Sequence, residues 1–489
     1  MNTQYSIFDI IYPKYKIEKP IRLIEFFGGY GSQALALKYL GVKFEHWKLC
    51  EWAVKSIQAY KDIHFTDKHL TFNESRTKEE MVDYLFKLGI SANYNEPMTR
   101  EQINRLNEIQ LKTILENIAI THNLVNIQQV KGKDLDIVDT DKYDYILTYS
   151  FPCQDLSLAG KGKGMSDTST RSGMLWEVER ILTECKELGT LPQVLLMENV
   201  PQVHGEGNVE DFNKWQLRLE ELGYKNYWQD LLATDYGIPQ TRNRCFMISI
   251  LGDYSYIFPP KQELKLKLKD MLEDNVDEKY YLSDKQIQDI QSWNAYEKPL
   301  ENMEKTDKNN ISPTLTTRSG AYAAGMILIK NATTKGYLEA KEGDGIDISS
   351  RMEHHRGNVQ KGKAQTLTTQ CDRGVVVGTY QFAKSDKFMN GKDRLQVGKE
   401  TSDTLQTSPK EGIVNSDLRI RKLTPRECFR LMGVKDEDYE KCAKNQSNAS
   451  LYHLAGDSLI TTIMMALFSQ MLDINWQEHF NNKEWWNNE

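Results

Sequence analysis

The amino-acid sequence predicts a doubly wound α/β domain joined to a smaller β-rich domain. Two observations predict the first domain. Short apolar runs alternate with amphipathic helical stretches between residues 21 and 250, and a glycine turn separates the first strand from the first helix. A third observation predicts the second domain: after about residue 272, threonines, turn residues and short alternating segments replace the helical pattern.

The size and composition of the chain restrict the classes of protein to which it can belong. With 489 residues, 39% hydrophobic and 27% charged, it is long enough for two or three soluble domains. It has no run of eighteen apolar residues and no amino-terminal basic region followed by an apolar one, so neither export nor a membrane span is expected. A net charge of -7 argues against nucleic-acid binding by bulk charge, but it permits a local basic cleft.

The cysteines indicate neither disulfides nor a structural metal. Seven cysteines are scattered along the chain, with no Cys-x-x-Cys pair and no matching histidine spacing. We therefore expect free thiols and no metal site.

The first strand, helix and strand suggest a nucleoside site. Residues 21–27 read as a buried strand, and a glycine-rich turn precedes an amphipathic run over residues 34–40. The next strand, residues 42–50, ends in Glu51, twenty residues after Gly31. Glycines at a helix start, with an acid on the following strand, suit a ligand whose ribose hydroxyls need an acceptor. A glycine turn with no ligand remains an open alternative.

A cysteine and a carboxylate follow two later strands. Cys153 comes just after the run 145–149, beyond Pro152, and Glu198 follows the run 194–197. In a parallel sheet both residues would lie at the ligand-binding edge. A thiol beside an acid suggests covalent chemistry on an electrophilic ring or carbonyl, while a buried, inert cysteine is the alternative.

The remaining segments complete the predicted organisation. Residues 70–128 have helical spacing and read as an insertion, after which the sheet pattern resumes at 130–135. Strand and helix alternation continues with helices at 175–182 and 212–222 and a strand at 245–250. Thr424 and Pro425 begin a carboxyl-terminal helical region, whose apolar helix 460–472 is expected to pack back onto the first domain.

The β-rich region contains three similar Thr-Leu segments, at residues 312–317, 364–369 and 402–407. Alternating Thr and Leu predict half-buried strands, and the unequal spacing argues against a solenoid. Residues 318–420 carry 16 Lys and Arg against 12 Asp and Glu, a local basic excess. This region could therefore meet a polyanion, or the excess could be an ordinary fluctuation.

Taken together and in order, these segments closely resemble the DNA (cytosine-5) methyltransferases of bacteria and phages. The resemblance covers nearly the whole chain outside the insertion and the variable β-rich region. The matching motifs are Phe27-Gly28-Gly29-Tyr30-Gly31, Glu51-Trp52, Asp134-Leu135, Pro152-Cys153-Gln154, Glu198-Asn199-Val200, Gln240-Thr241-Arg242-Asn243-Arg244 and Arg421-Lys422-Leu423-Thr424-Pro425-Arg426-Glu427.

The resemblance implies which segments of the chain form which domains. Residues 15–272 would form a Rossmann-like catalytic domain that binds S-adenosylmethionine, with the helical insertion at about 70–128. Residues 273–420 would form the target-recognition domain, and residues 421–489 a hinge and a carboxyl-terminal segment. A cytoplasmic protein of a bacterial or phage-infected cell is expected.

The resemblance also assigns roles to residues. Cys153 would attack C6 of a flipped cytosine in double-stranded DNA, Glu198 would meet N3 and the exocyclic amine, and Arg244 would meet O2. Asn199, Gln240 and Arg242 would hold the site together. The implied cofactor residues are Phe27, Gly29, Gly31, Glu51, Trp52, Asp134, Leu135, Pro152, Leu175, Asp457 and Ser458. The implied DNA contacts are Ser157, Lys161, Lys163, Arg171, Thr316, Thr368 and Arg373.

Three features depart from the family pattern. Asp457 stands where an asparagine normally meets the cofactor, and a carboxylate cannot donate a hydrogen bond. Glu25 replaces a more frequent aspartate, and the insertion between Glu51 and Asp134 is unusually long.

Several alternatives stay open at this point. The same catalytic domain could act on RNA, although the large β-rich region favours DNA. A catalytically silent DNA-binding relative would have lost Cys153 or Glu198, and both are present. The three Thr-Leu segments could serve several DNA targets or be structural in an enzyme with one target. A separate restriction endonuclease is a possible partner, and a monomer is expected.

Overall fold

The computed structural model describes residues 12–66, 75–151, 173–282, 327–333, 337–349, 357–370, 372–381, 415–480 and 485–486. The chain divides into two compact units. Unit 1 contains Met1–Leu272, Thr366–Cys371 and Thr424–Glu489, and unit 2 contains Glu273–Gln365 and Asp372–Leu423.

Unit 1 is built on a six-stranded mixed sheet. Its strands are β1 Ile21–Phe26, β2 Phe44–Cys50, β3 Asp144–Tyr149, β4 Val194–Asn199, β5 Tyr224–Leu232 and β6 Asn243–Leu251, in the order β2-β1-β3-β4-β6-β5. The first four strands are parallel, whereas β6 runs antiparallel to both β4 and β5. The predicted α/β class is confirmed.

Helices cover both faces of this sheet. They are α1 Ser32–Tyr39, α2 Val54–His64, α3 Lys78–Leu88, α4 Arg100–Asn104, α5 Glu108–Ile120, α6 Met174–Leu188, α7 Val209–Leu222, α8 Pro425–Arg430, α9 Asp436–Ala443, α10 Asn448–Asp457, α11 Thr461–Leu472 and α12 Trp476–His479. Leu147 and Met197 share a core with Val178 of α6 and Phe212 of α7. Because strand residues alternate, Glu25, Thr148 and Glu198 lie on the opposite face.

The carboxyl-terminal helices complete unit 1, as the sequence predicts. Thr424 caps α8 through the backbone N–H of Glu427, and Pro425 occupies the first turn. Helix α11 is buried along nearly its whole length and packs against α1. Within the described residues, Asn448–Leu472 is the one stretch long and apolar enough to span a membrane, but 89% of its most apolar window is buried in the protein, as expected for a core helix.

The insertion forms a small helical layer, as its periodicity predicts. Helices α3, α4 and α5 each begin with a capping box, in which the cap side chain and the third residue bond reciprocally. Met81, Leu85, Ile103 and Leu111 form its core together with Ile57 of α2. The insertion is therefore packed onto the helix that follows Glu51.

Unit 2 is β-rich, as predicted. Strands β9 Gly345–Asp347, β10 Val359–Gln360, β11 Arg373–Gln381 and β12 Asn415–Lys422 form an antiparallel sheet in the order β10-β9-β11-β12. Strands β7 Ile327–Lys330 and β8 Tyr337–Ala340 pair separately. A small apolar core contains Ile329, Ile346, Val376 and Ile420.

Two local predictions for unit 1 are wrong. Residues 130–135 contain a short 3-10 helix, Gly132–Leu135, in place of a strand. A Cβ on Gly132 would lie 2.8 Å from the backbone nitrogen of Cys185, so this segment packs end-on against α6. Strand β5 was not predicted, because it is an edge strand whose residues are mostly half-buried and do not alternate between apolar and polar.

The Thr-Leu segment at 364–369 is also not a strand. Apart from a single bridge residue, Ala364, it has irregular backbone, and residues from Thr366 to Cys371 belong to unit 1. Thr366 donates to the carbonyl of Thr241 (3.2 Å) and the N–H of Leu367 donates to Gln240 Oε1 (3.1 Å). The other two Thr-Leu segments, which include Thr316, lie outside the described residues.

The glycine loop, residues 27–31, forms a tight turn that leads into α1. Gly31 has a φ of 83°, in the left-handed region, and a Cβ there would lie 2.4 Å from His64 Nε2. Both the backbone conformation and the lack of space therefore require glycine.

We predict that Gly31→Ala destabilises unit 1 by about 2–5 kcal/mol, since left-handed strain adds to the steric clash. Gly41→Ala is the matched control, because Gly41 also has a positive φ of 69° but nothing lies within 4 Å of a Cβ there. It should cost about 1–2 kcal/mol. Urea unfolding measures both, and equal losses would contradict the steric account.

Candidate active site

The site lies where the parallel strands of unit 1 end. Phe27 follows β1, Glu51 follows β2, Phe151 lies just beyond β3, and Glu198 and Asn199 end β4. Because the carboxyl ends of parallel strands meet at one edge, the sheet brings these residues together.

Glu198 forms a buried ion pair with Arg244 at this edge. Arg244 Nε lies 3.1 Å from Glu198 Oε1, and their side chains are 18% and 10% exposed. Strands β4 and β6 are antiparallel neighbours, and Glu198 pairs with Phe246, so Arg244 is brought alongside Glu198 on the same face. Burial raises the pKa of Glu198, and the positive charges of Arg244 and Arg242 oppose this rise. The carboxyl group can thus hold a proton at higher pH than a free glutamate.

Asn199 ties the end of β4 to the segment that follows β3. Its Nδ2 donates to the carbonyl of Phe151 (3.0 Å), and its Oδ1 accepts from the N–H of Val200 (2.9 Å). Cys153 is only two residues beyond Phe151. Cys153, Pro152 and the predicted DNA contacts Ser157, Lys161, Lys163 and Arg171 lie outside the described residues. Asn199 therefore fixes the chain just before the predicted nucleophile.

Gln240 and Arg242 bind backbone carbonyls from distant parts of unit 1. Gln240 Nε2 donates to Leu431 O (2.8 Å). Arg242 donates through Nη1 to Gly456 O (3.1 Å) and through Nη2 to Ser458 O (2.9 Å). Both side chains are buried. Their hydrogen bonds therefore hold the carboxyl-terminal segment against the edge of the sheet.

Glu51 lies beside the glycine loop in a buried, hydrogen-bonded position. Its Oε2 accepts from the N–H of Gly29 (3.1 Å) and its Oε1 from the N–H of Ala53 (2.8 Å). Asn123 fixes the Glu51 backbone with two further bonds of 3.0 and 2.8 Å. Burial raises the pKa of Glu51 to about 7, and the charge of Asp457 adds a smaller effect in the same direction.

Ser458 and Asp457 adjoin the same loop. A Cβ on Gly29 would lie 3.7 Å from Ser458 Oγ, and Gly29 itself has a φ of 55°. The negative charge of Asp457 makes a small contribution to the raised pKa of both Glu51 and Glu198.

Comparison with known proteins identifies the family. The family model for C-5 cytosine-specific DNA methylase matches residues 86–473. The chain belongs to this family.

Curated relatives agree with this assignment. The type II methyltransferase M2.ScrFI of Lactococcus lactis subsp. cremoris is 30% identical over 454 residues, covering 92% of this chain and 99% of that protein. The orphan methyltransferase M.SssI of Spiroplasma monobiae is 34% identical over 351 residues, 70% of this chain and 83% of that protein. The orphan methyltransferase M.SPRI of Bacillus phage SPR is 27% identical over 74% of this chain and 90% of that protein. The protein is thus a DNA (cytosine-5) methyltransferase.

Within this methyltransferase, the remaining predicted cofactor residues occupy different environments. Trp52 is half-buried and packs against the core of the insertion. Asp134 caps its own 3-10 turn by accepting from the N–H of Lys131 (2.9 Å). The Leu135 carbonyl accepts from Trp47 Nε1 (2.9 Å), while Leu175 is buried in the apolar core beneath α6.

Two predicted DNA contacts lie among the described residues, in different units. Thr368 belongs to unit 1 and donates to its neighbour Gln370 O (3.1 Å). Arg373 belongs to unit 2, where its Nη1 lies 3.0 Å from Asp347 and 3.3 Å from Asp372. The Arg373 side chain is 12% exposed, so in this conformation its positive charge is paired with carboxylates of unit 2.

Two arrangements were not foreseen from the sequence. The ring of Tyr94, in the insertion, packs at a tilt against His453, whose Nε2 lies 3.1 Å from Asp457 Oδ2. Separately, His204, Asp230 and Cys245 place three donor atoms within 4.8 Å, a grouping that could hold a metal ion. His204 and Asp230 bond to each other at 2.9 Å, which accounts for their approach without an ion. No spacing rule links these residues along the chain.

We predict that Asn199→Asp lowers kcat about 10- to 100-fold, because an aspartate cannot donate to the Phe151 carbonyl. Asn226→Asp is the matched control, since Asn226 also donates to a backbone carbonyl, Gln216 O (3.0 Å), but lies on β5. The control should lose stability only. Steady-state methylation and thermal unfolding distinguish the two, and an equal effect on kcat would contradict a positioning role.

A second prediction concerns pH. Because burial raises the pKa of Glu198, its protonated form persists to higher pH, and a rate that needs this proton falls as pH rises through that pKa. Glu198→Gln should be much slower and should lack this fall. Single-turnover rates between pH 5 and 9 test this, and an unchanged alkaline limb in the variant would exclude Glu198 as its source.

Proposed function

We propose that this enzyme methylates cytosine through a covalent adduct at Cys153, with S-adenosylmethionine as the methyl donor. The buried Glu198–Arg244 pair carries the proposal. It puts a carboxyl group and a guanidinium at the strand edge, and Asn199, the residue after Glu198, is hydrogen-bonded to Phe151, two residues before Cys153. A carboxyl group that retains a proton and a fixed cation are the two groups that an adding nucleophile needs around cytosine.

The Cys153 thiolate would add to C6 and form a C–S bond as the C5–C6 double bond opens. Glu198 would donate its proton to N3, so that negative charge does not accumulate on the ring. Arg244 would donate to O2 and hold the base in the plane of the carboxyl group. The resulting enamine is nucleophilic at C5. After C5 is methylated, loss of its proton to a base and cleavage of the C6–S bond would restore the aromatic ring and the thiolate, and the N3 proton would return to Glu198.

The residues around the glycine loop fit S-adenosylmethionine. Glu51 offers a fixed carboxylate for ribose hydroxyls, and Gly29 has no side chain to obstruct a close approach. Helix α1 begins at Gly31 without a side-chain cap, so its first N–H groups can receive a carboxylate. Phe27, Trp52, Asp134, Leu135, Pro152, Leu175, Asp457 and Ser458 complete the proposed set. When bound, the cofactor supplies an electrophilic methyl group.

The substrate is DNA, and further details of its recognition are proposals. The target cytosine must leave the duplex stack to reach Cys153. Unit 2 would read the sequence, as a β-rich element with an excess of basic residues in its chain segment. Ser157, Lys161, Lys163, Arg171, Thr316, Thr368 and Arg373 are the proposed contacts. We also propose a monomeric, cytoplasmic enzyme that a restriction endonuclease of the same specificity could accompany.

Product analysis tests the proposed function. Duplex DNA from an unmodified host, incubated with the enzyme and S-adenosylmethionine, should yield 5-methylcytosine by nucleoside mass spectrometry. Cys153→Ser should yield none, while Cys428→Ala, at a buried cysteine in α8, should retain activity. Methylation of tRNA in preference to DNA, or activity in Cys153→Ser, would overturn the proposal.

A further inference from the structure

One aromatic side chain of the insertion, that of Tyr94, lies near the residues proposed to bind the cofactor. The N–H of Ser91 donates to Trp52 O (2.8 Å), and the N–H of Val54 donates to Ser91 O (2.9 Å). The loop after Ser91 is therefore bonded to the chain immediately after Glu51. Tyr94 lies in this loop with a φ of 64°, a conformation that costs energy for a residue with a bulky side chain.

Tyr94 covers His453. The two ring centroids are 3.7 Å apart with an interplanar angle of 42°. The Tyr94 hydroxyl is buried, and no described atom forms a hydrogen bond of ordinary geometry with it. The contact with His453 is made by the Tyr94 ring.

His453 in turn faces Asp457, one helical turn further along α10. Its Nε2 lies 3.1 Å from Asp457 Oδ2, a contact that is electrostatic because the atoms are not aligned for a hydrogen bond. The Asp457 side chain is 57% exposed, so its carboxylate is open to a ligand. Glu51 accepts from the N–H of Gly29, and Ser458, the residue after Asp457, adjoins the same glycine, so two carboxyl groups lie near the glycine loop.

We propose that Tyr94 and His453 are positioning residues that adapt the cofactor site to a carboxylate at Asp457. Gly29, in the loop that leads into α1, lies beside Ser458, and Asp457 would repel a cofactor carboxylate bound at the start of α1. His453 in its protonated form would offset this charge, and Tyr94 would hold the imidazole in place. The long insertion therefore compensates for Asp457. This inference rests on the proposed binding of S-adenosylmethionine.

A double-mutant cycle measured by isothermal titration calorimetry tests the inference. His453→Ala should weaken binding of S-adenosylmethionine about three- to tenfold, the range of a partly exposed charge pair, and less at high salt. In an Asp457→Asn background, His453→Ala should cause no further loss. Binding of 5′-methylthioadenosine, which lacks the carboxylate and the ammonium group, should not change with His453→Ala.

Tyr94→Leu should reproduce the effect of His453→Ala. Tyr84→Leu is its control on the same insertion, because Tyr84 is 40% exposed on α3. If the wild type binds no S-adenosylmethionine, the proposed function fails. A different pair of outcomes refutes only the compensation by Tyr94 and His453, provided that the wild type binds S-adenosylmethionine. The first is that His453→Ala weakens the binding of S-adenosylmethionine and of 5′-methylthioadenosine equally. The second is that His453→Ala still weakens the binding of S-adenosylmethionine in the Asp457→Asn background.

Discussion

The buried Arg242 guanidinium is the interaction on which the rest of the site depends. It donates to the carbonyls of Gly456 and Ser458, at the junction of α10 and α11. A buried cation left without acceptors would be very costly, so this junction cannot leave the strand edge while unit 1 stays folded. Gly456 is constrained in the same place, since a Cβ there would lie 2.4 Å from the Thr368 carbonyl. Arg242 therefore positions Asp457 and Ser458 without being free to contact a substrate.

Two buried carboxyl groups at the same sheet edge, those of Glu51 and Glu198, have different partners. Glu51 accepts two backbone N–H groups and presents a fixed acceptor, whereas Glu198 faces the guanidinium of Arg244. Burial raises the pKa of both, but only Glu198 has a cation that opposes the rise. The ribose-binding role proposed for Glu51 and the proton-transfer role proposed for Glu198 would thus follow from the partners of the two groups, and not from the residue type.

The sequence was informative where local pattern determines structure. Apolar runs located β1, β3, β4 and β6, and because parallel strands end at one edge, they also located Phe27, Glu51, Glu198 and Asn199. Capping residues and helical spacing located the insertion. Strand β5 was missed because an edge strand with half-buried residues has no clear alternation.

Other features depend on contacts between segments far apart in the chain. Residues 364–369 were predicted to form a strand, but Leu367 lies in irregular backbone, where its N–H donates to the side chain of Gln240, 127 residues away in the chain. Tyr94 meets His453 only because the loop after Ser91 is bonded to residues 52–54. No local pattern encodes these pairings, and they required the folded structure.

The central claim is that the thiol of Cys153 adds to the target base. Duplex DNA containing 5-fluorocytosine tests it most directly, because the fluorine at C5 cannot be removed as a proton and the adduct is trapped. With S-adenosylmethionine present, mass spectrometry should find one protein–DNA adduct, located on the peptide that contains Cys153. The absence of an adduct, or its location on another cysteine, would contradict the account.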